Sequence, residues 1–228
     1  MMATPEYQSP LMRKFIRRTA LSLLFVGAIL FGVAGTLNWP QAWLYLALAS
    51  VISFGAGSWL ARNDPALLSE RLGPLIQREQ KRWDKALMAV MLSLWVGWLI
   101  LIGLHRRYLW SDVPIALQGV LGSYLVWLTL KANTYAAPVV KIQKARGHAV
   151  ATSGPYAYVR HPMYAGALLF IAGMPLLLGS WSGLAAGLAL VLIIAVRAVF
   201  EERTLAAELE GYAEYAARVR YRFVPYLW

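Results

Sequence analysis

Residues 19–37, 42–60, 86–104, 114–130, 163–178 and 184–200 are apolar almost throughout, and the chain between them turns polar, basic or rich in Pro and Gly. At ~1.5 Å per residue, runs of this length approach the ~30 Å of a bilayer's hydrocarbon core, so each predicts a membrane-crossing helix. The first run is too long for the apolar core of a secretory signal, and a second span follows it at once. Pro114 is expected to open the fourth span, and Lys131, Asn133 and Tyr135 to end it on the polar side. The last two runs come to roughly 25 Å each. Only Gly179-Ser180-Trp181-Ser182-Gly183 separates them, which predicts a tight hairpin of two spans, with two long re-entrant helices as the alternative.

Composition supports this pattern. The 228 residues are 59% hydrophobic and 14% charged, with a mean hydropathy of +0.52, where soluble domains carry about a quarter charged residues. The expected fold is therefore all-α and integral to the membrane, with about six transmembrane helices in one domain over 1–228. Residues 1–135 would form a four-span scaffold, and 136–228 would carry the chemistry. No cysteine is present, which excludes disulfides, thiolate zinc sites and a cysteine nucleophile; no metal site is expected.

The net charge of +11 does not point to nucleic acid, because the basic residues cluster beside the apolar runs. Six spans place both termini on one side. Putting the N-terminus, 62–85, 136–162 and the C-terminal end in the cytoplasm collects 19 of the 22 lysines and arginines there. This distribution predicts an N-in, C-in protein, and the bacterial cytoplasmic membrane is the expected location. The connection 62–85 mixes both charge signs around Pro65, Gly73 and Pro74. It reads as short interfacial helices, or as a solvated loop without chemistry.

The candidate chemistry lies in the polar, aromatic stretch Gly154-Pro155-Tyr156-Ala157-Tyr158-Val159-Arg160-His161-Pro162-Met163-Tyr164-Ala165-Gly166, between apolar runs. Polar groups that close to hydrocarbon must face protein or a wet cavity. Pro162 suits a first helical position, so His161 is expected at the entrance of the fifth span, with Tyr164 one turn later. Arg197 interrupts the last apolar run, and Glu201 shares its helical face while Glu202 points elsewhere. Two adjacent carboxylates at a membrane surface repel each other, so they are expected to pair with Arg197 and Arg160 or to hold a cationic ligand. Residues 208–215 look amphipathic, and 218–225 alternate basic and apolar residues as an extended surface segment would. A basic tail resting on anionic lipid fits this segment as well as a role in closing the site.

Taken in order, Gly154-Pro155-Tyr156, Arg160-His161-Pro162 with Tyr164 and Gly166, Glu201-Glu202, Gly211-Tyr212, Glu214-Tyr215, Arg218-Val219 and Arg222-Phe223-Val224-Pro225 resemble the isoprenylcysteine carboxyl methyltransferase family and its bacterial phospholipid-methyltransferase-like relatives. The resemblance covers roughly residues 130–228. It implies S-adenosylmethionine as methyl donor on the cytoplasmic side and a lipophilic acceptor arriving from the bilayer. By the same resemblance His161 and Tyr164 would contact the cofactor, as would backbone near Tyr156 and Tyr158, Glu201 would help hold it, and Arg197 and Glu202 would sit nearest the transferred methyl. The acceptor could be a carboxylate, an amine or a thiol. An NADPH-dependent sterol or ene reductase is similar around the Arg-His-Pro motif but tends to lack the Glu pair. A non-catalytic lipid-binding membrane protein is the reading from another class.

Overall fold

The computed structural model describes the backbone of residues 5–77, 79–109 and 118–228, with side chains from residue 10 and, in the last segment, from 119. Among these, eight α-helices and no strand are present: α1 (Pro5–Ala34), α2 (Pro40–Asn63), α3 (Pro65–Arg71), α4 (Arg82–Tyr108), α5 (Gln118–Ala132), α6 (Pro162–Leu177), α7 (Trp181–Glu208) and α8 (Tyr212–Arg218). The helices α1, α2, α4 and α7 are long and apolar enough to cross a membrane, and α5 and α6 are shorter apolar helices. The expected start of the fourth span at Pro114 lies outside the described residues.

Local chemistry accounts for the helix ends. Gly35 adopts the left-handed conformation (φ 69°) that stops α1, and its N–H bonds Phe31 O at 2.9 Å. The carboxylate of Asp64 accepts the Leu67 N–H at 2.9 Å and caps α3, with Pro65 in its first turn. The connection 62–85 thus holds one short helix among the described residues. Ser180 caps α7 by accepting the Gly183 N–H at 3.0 Å, so the expected five-residue turn shrinks, and Trp181 to Gly183 belong to the helix.

α7 runs through Arg197, Glu201 and Glu202 to Glu208, 28 residues or about 42 Å, where the apolar run suggested 17. The charges do not end it because protein, rather than lipid, surrounds them. The core lies where α1, α4, α6 and α7 meet, around Leu30, Trp98, Leu99, Ile102, Met174 and Ile194. Leu21, Leu24, Val51, Leu188 and Leu192 point outward, as lipid-facing side chains do.

α4 and α7 are antiparallel and are pinned at both ends. At one end Trp98 Nε1 donates to Gly183 O at 2.6 Å, and His105 Nδ1 lies 2.9 Å from Ser182 Oγ. At the other end the pin is ionic, as described below. α5 and α6 cross with almost no space between them. A Cβ on Gly122 would stand 2.4 Å from Gly166 O, and one on Gly166 would stand 2.6 Å from Gly122 O. Only glycine permits this approach, the small-residue packing that membrane helices favour.

Gly166→Val is therefore expected to destabilise the detergent-solubilised protein by on the order of 1–3 kcal/mol through overpacking. Gly97→Ala, whose added methyl meets nothing within 4 Å, is expected to be neutral or slightly stabilising. Thermal denaturation of both variants checks this, and an unchanged midpoint for Gly166→Val would contradict the close crossing.

Candidate active site

At the pinned end, α4, α6 and α7 bring ionisable groups into an otherwise apolar bundle. Arg197 is buried on α7, and fully buried Asp84 faces it from the first turn of α4. Arg197 Nε donates to Asp84 Oδ1 at 2.8 Å. Asp84 Oδ2 accepts from Gln80 Nε2 at 2.8 Å and from the Val140 N–H at 2.9 Å. The other guanidinium nitrogens are also engaged, NH2 with Pro138 O at 2.8 Å and NH1 with Tyr164 OH at 2.9 Å. The Tyr164 hydroxyl in turn donates to Glu201 Oε2 at 2.5 Å. The sequence suggested that Arg197 would pair with the glutamates; its carboxylate partner is Asp84, and Glu201 is reached only through Tyr164.

Arg160 pairs with the Glu pair as expected, through Glu202. Glu202 Oε1 accepts from Arg160 Nε at 2.7 Å and lies 3.1 Å from His161 Nε2, while Oε2 accepts from Arg222 Nε at 3.0 Å. Backbone bonds reinforce the knot, because the N–H groups of Arg160 and His161 donate to the carbonyls of Tyr221 and Arg222, both at 2.9 Å. Arg160 NH1 also reaches Val219 O at 3.0 Å beyond the end of α8. The C-terminal segment is thereby clasped to the entrance of α6. It is not a regular extended strand: Arg222 N–H turns back to Trp228 O at 2.7 Å, and Phe223 is buried beside the rings of His161 and Tyr164.

A cavity of about 290 Å³ opens between these two clusters. Tyr156, His161, Tyr164, Arg197 and Glu201 all line it, so the fold brings together five of the seven residues singled out in the sequence. Glu202 is not among the lining residues, being held in its knot. Tyr158 is 72% exposed and lines a separate cleft with Leu125, Phe223 and Pro225, because the 3-10 turn at Gly154–Ala157 directs Tyr156 inward and Tyr158 outward. Pro162 begins α6 and His161 occupies its N-cap position as expected, with its ring stacked on Tyr164 at 5.2 Å.

Several lining or supporting residues carried no site role in the sequence, although Tyr212 and Tyr215 belong to the motif that carries the resemblance. α8 roofs the cavity with Tyr212 and Tyr215. The Tyr215 hydroxyl, whose pKa burial raises to about 12, keeps its proton and donates to Tyr156 O at 2.9 Å. Asn133 Nδ2 donates to Tyr156 OH at 2.9 Å. Asp84 left one trace in the sequence, a lone acid just before an apolar run.

The two adjacent glutamates have opposite surroundings. Glu202 is matched by Arg160, Arg222 and the His161 ring, whereas Glu201 enters no ion pair among the described residues. Among the described residues that line the cavity, Glu201 is the one acid, beside the cations Arg71, Lys141, Arg160 and Arg197. The arrangement can accept a cation beside Glu201, among the rings of Tyr164 and Tyr156.

Glu202→Gln leaves two guanidinium groups without a carboxylate, a kind of loss that costs about 3–5 kcal/mol when the pair is fully buried and less at this partly buried site. Limited trypsin digestion at Arg218 and Arg220 is expected to accelerate at least tenfold, since cleavage tracks the opened population. Glu208→Gln breaks only the exposed pair with Lys81 and is expected to change little. Equal cleavage of both variants would refute the clasp.

A second prediction concerns His148, which lines the cavity, stacks on Tyr135 and accepts the Gln143 N–H at Nδ1 (3.3 Å). Burial first, and then nearby Arg146, hold its pKa below the ordinary 6.5. The unfolded chain therefore takes up the proton first, and the stability carried by the neutral ring is complete above pH 6.5 and lost as pH falls below it. His148→Gln is expected to flatten the fall in thermal midpoint between about pH 7 and 5, as a pH series of melting curves would test.

Comparison with known proteins points the same way as the site. The family model described as phospholipid methyltransferase matches residues 107–210, which include α6 and all of α7. Among curated proteins, the chain is similar to the cobalt-zinc-cadmium resistance protein CzcN of Cupriavidus metallidurans, with 31% identity over 166 residues that cover 71% of each chain. With its apolar helices and a site built around α6 and α7, which the family model spans, the chain belongs to the phospholipid methyltransferase family of membrane proteins.

Proposed function

We propose that the protein transfers a methyl group from S-adenosylmethionine to a lipid-like acceptor in the cavity between α4, α6, α7 and α8. The observation that carries this reading is Glu201, a carboxylate lining the cavity with a tyrosine hydroxyl as its sole hydrogen-bond partner and no ion pair among the described residues. Such a group calls for a cation, and a sulfonium or ammonium supplies one. The donor set fits the rest of the cofactor. The rings of Tyr156, His161 and Tyr164 offer aromatic faces, and Arg160, also on the cavity wall, offers a cation to a carboxylate.

When bound, S-adenosylmethionine supplies an electrophilic methyl carbon, whose bond to sulfur breaks as the acceptor's lone pair bonds to carbon. The chain's part is to align the reactants and exclude water, which is worth up to about 7–11 kcal/mol in well-oriented reactions. Tyr156, His161, Tyr164 and Glu201 hold the cofactor in this reading. The side chain of Tyr158 lies outside the cavity, so any contact it makes is through the backbone. Arg197 faces the transfer while its guanidinium fixes Tyr164 and the 138–140 loop. Glu202 keeps the C-terminal segment closed over the site as a positioning residue.

The reading places the site on the cytoplasmic face of a bacterial inner membrane, in one membrane domain to which the first four spans also contribute. The skew of 19 in 22 basic residues toward that face supports the orientation.

Membranes carrying the protein, incubated with methyl-labelled S-adenosylmethionine and a lipid extract, are expected to label a lipid. Equilibrium dialysis of the labelled cofactor against Glu201→Gln is expected to show affinity about 10- to 100-fold weaker, the loss of one charge-assisted contact. Unchanged affinity removes Glu201 from the cofactor site, and consumption of NADPH without labelling would replace methyl transfer with reduction.

A further inference from the structure

Some cations at this end of the bundle are matched by a carboxylate, and others are not. Lys81, Lys141, Arg160, Arg197 and Arg222 each have a carboxylate within 3.0 Å. Arg71 and Arg18 enter no ion pair among the described residues. Arg71, at the end of α3, donates from NH1 to Ala136 O at 2.9 Å, with Met163 Sδ 4.0 Å away. Arg18, on α1, donates from NH1 to Leu72 O at 2.7 Å and to Gly73 O at 2.8 Å. Backbone carbonyls satisfy these N–H donors without neutralising the charge; Arg18 is exposed, whereas Arg71 is half-buried, where an uncompensated guanidinium is costly.

Both arginines line one groove of about 820 Å³ between α1, α2, α5 and α6. Its remaining walls are largely apolar, with Leu23, Ile52, Val126 and Phe170 among them. Arg71 is also a lining residue of the Glu201 cavity, and no other residue is shared by the two. It therefore stands as the partition between an apolar slot and the proposed methyl-transfer site. A soluble anion has no use for the slot, and a neutral lipid leaves both charges unmatched. The complement of this surface is an amphiphile with an anionic group on an apolar chain.

We infer that the groove seats the apolar tail of the acceptor, and that Arg71, assisted by Arg18, binds an anionic group of that lipid, a carboxylate or a phosphate. The inference rests on the methyl-transfer reading for what happens beyond Arg71. On that reading the anchored lipid presents its accepting atom on the Glu201 side of the partition. Arg71 is thus a specificity residue that selects anionic acceptors. Burial lowers the pKa of the Arg71 guanidinium, so a bound anion would offset the cost of burying that charge.

The test measures binding to the full-length, detergent-solubilised protein with three probes of equal chain length: palmitate, hexadecyl phosphate and hexadecanol. Wild type is expected to bind at least one anionic probe about tenfold or more tighter than the alcohol. The probe preferred, palmitate or hexadecyl phosphate, tells which anion is read. Arg71→Gln is expected to abolish that preference, Arg71→Lys to keep part of it, and Arg18→Gln to weaken it, with S-adenosylmethionine affinity unchanged in all three. Equal binding of the anionic probes and the alcohol by wild type would overturn the inference. So would an Arg71→Gln variant that loses affinity for S-adenosylmethionine but keeps the anion preference, since Arg71 would then serve the cofactor's carboxylate. If the preference depends on Arg71 while wild type binds no S-adenosylmethionine, the groove assignment stands and the methyl-transfer reading falls.

Discussion

A charge inside an apolar helix bundle must meet an opposite charge and have its remaining hydrogen bonds satisfied, and the Asp84–Arg197 pair meets both conditions. Asp84 is fully buried and uses its two oxygens on Arg197, Gln80 and the Val140 N–H. Arg197 engages its three nitrogens on Asp84, Tyr164 and Pro138 O. One ion pair thus binds α4 to α7, fixes the 138–140 loop beside the cavity, and orients the tyrosine that reaches Glu201. Removing a single partner from such a pair typically costs about 3–5 kcal/mol, because the other charge is left buried and alone. The rest of the site inherits its geometry from this contact.

The Glu pair follows from helix geometry. Consecutive residues on α7 point about 100° apart, so Glu201 and Glu202 cannot face the same neighbours. Glu202 points to the entrance of α6 and the C-terminal segment, where Arg160, His161 and Arg222 converge on it. Glu201 points into the cavity. The repulsion expected between adjacent carboxylates is relieved by giving one a closed set of cations and leaving the other on the cavity wall. The tail that follows the α8 roof can then be held in place by a residue outside the cavity, while Glu201 stays on the cavity wall.

Much of this was legible in the chain. Uninterrupted apolar runs marked the helices, since length and hydropathy suffice to identify a segment that can cross a bilayer. Pro162 announced the start of α6, and the clustering of His161, Tyr164, Arg197 and Glu201 near one end followed from where their runs begin and stop. The length of α7 was underestimated, because charge in a sequence marks where lipid ends only when the charged residue faces lipid. Arg197 and Glu201 face protein and cavity, and the helix continues past them.

What the sequence determined by itself was local: which segments are apolar, which residues open and cap helices, how the basic residues are distributed, and which motif resembles a family. What only the tertiary structure decided was partnership. Asp84 lies 113 residues from Arg197 and sits in what reads as a polar connection, so no periodicity links the two. That Glu202 belongs to the tail's knot, that Tyr158 points outward, and that Arg71 separates two cavities are likewise long-range facts. Helical spacing tells which residues share a face, and only the packing of helices distant in sequence tells what that face meets.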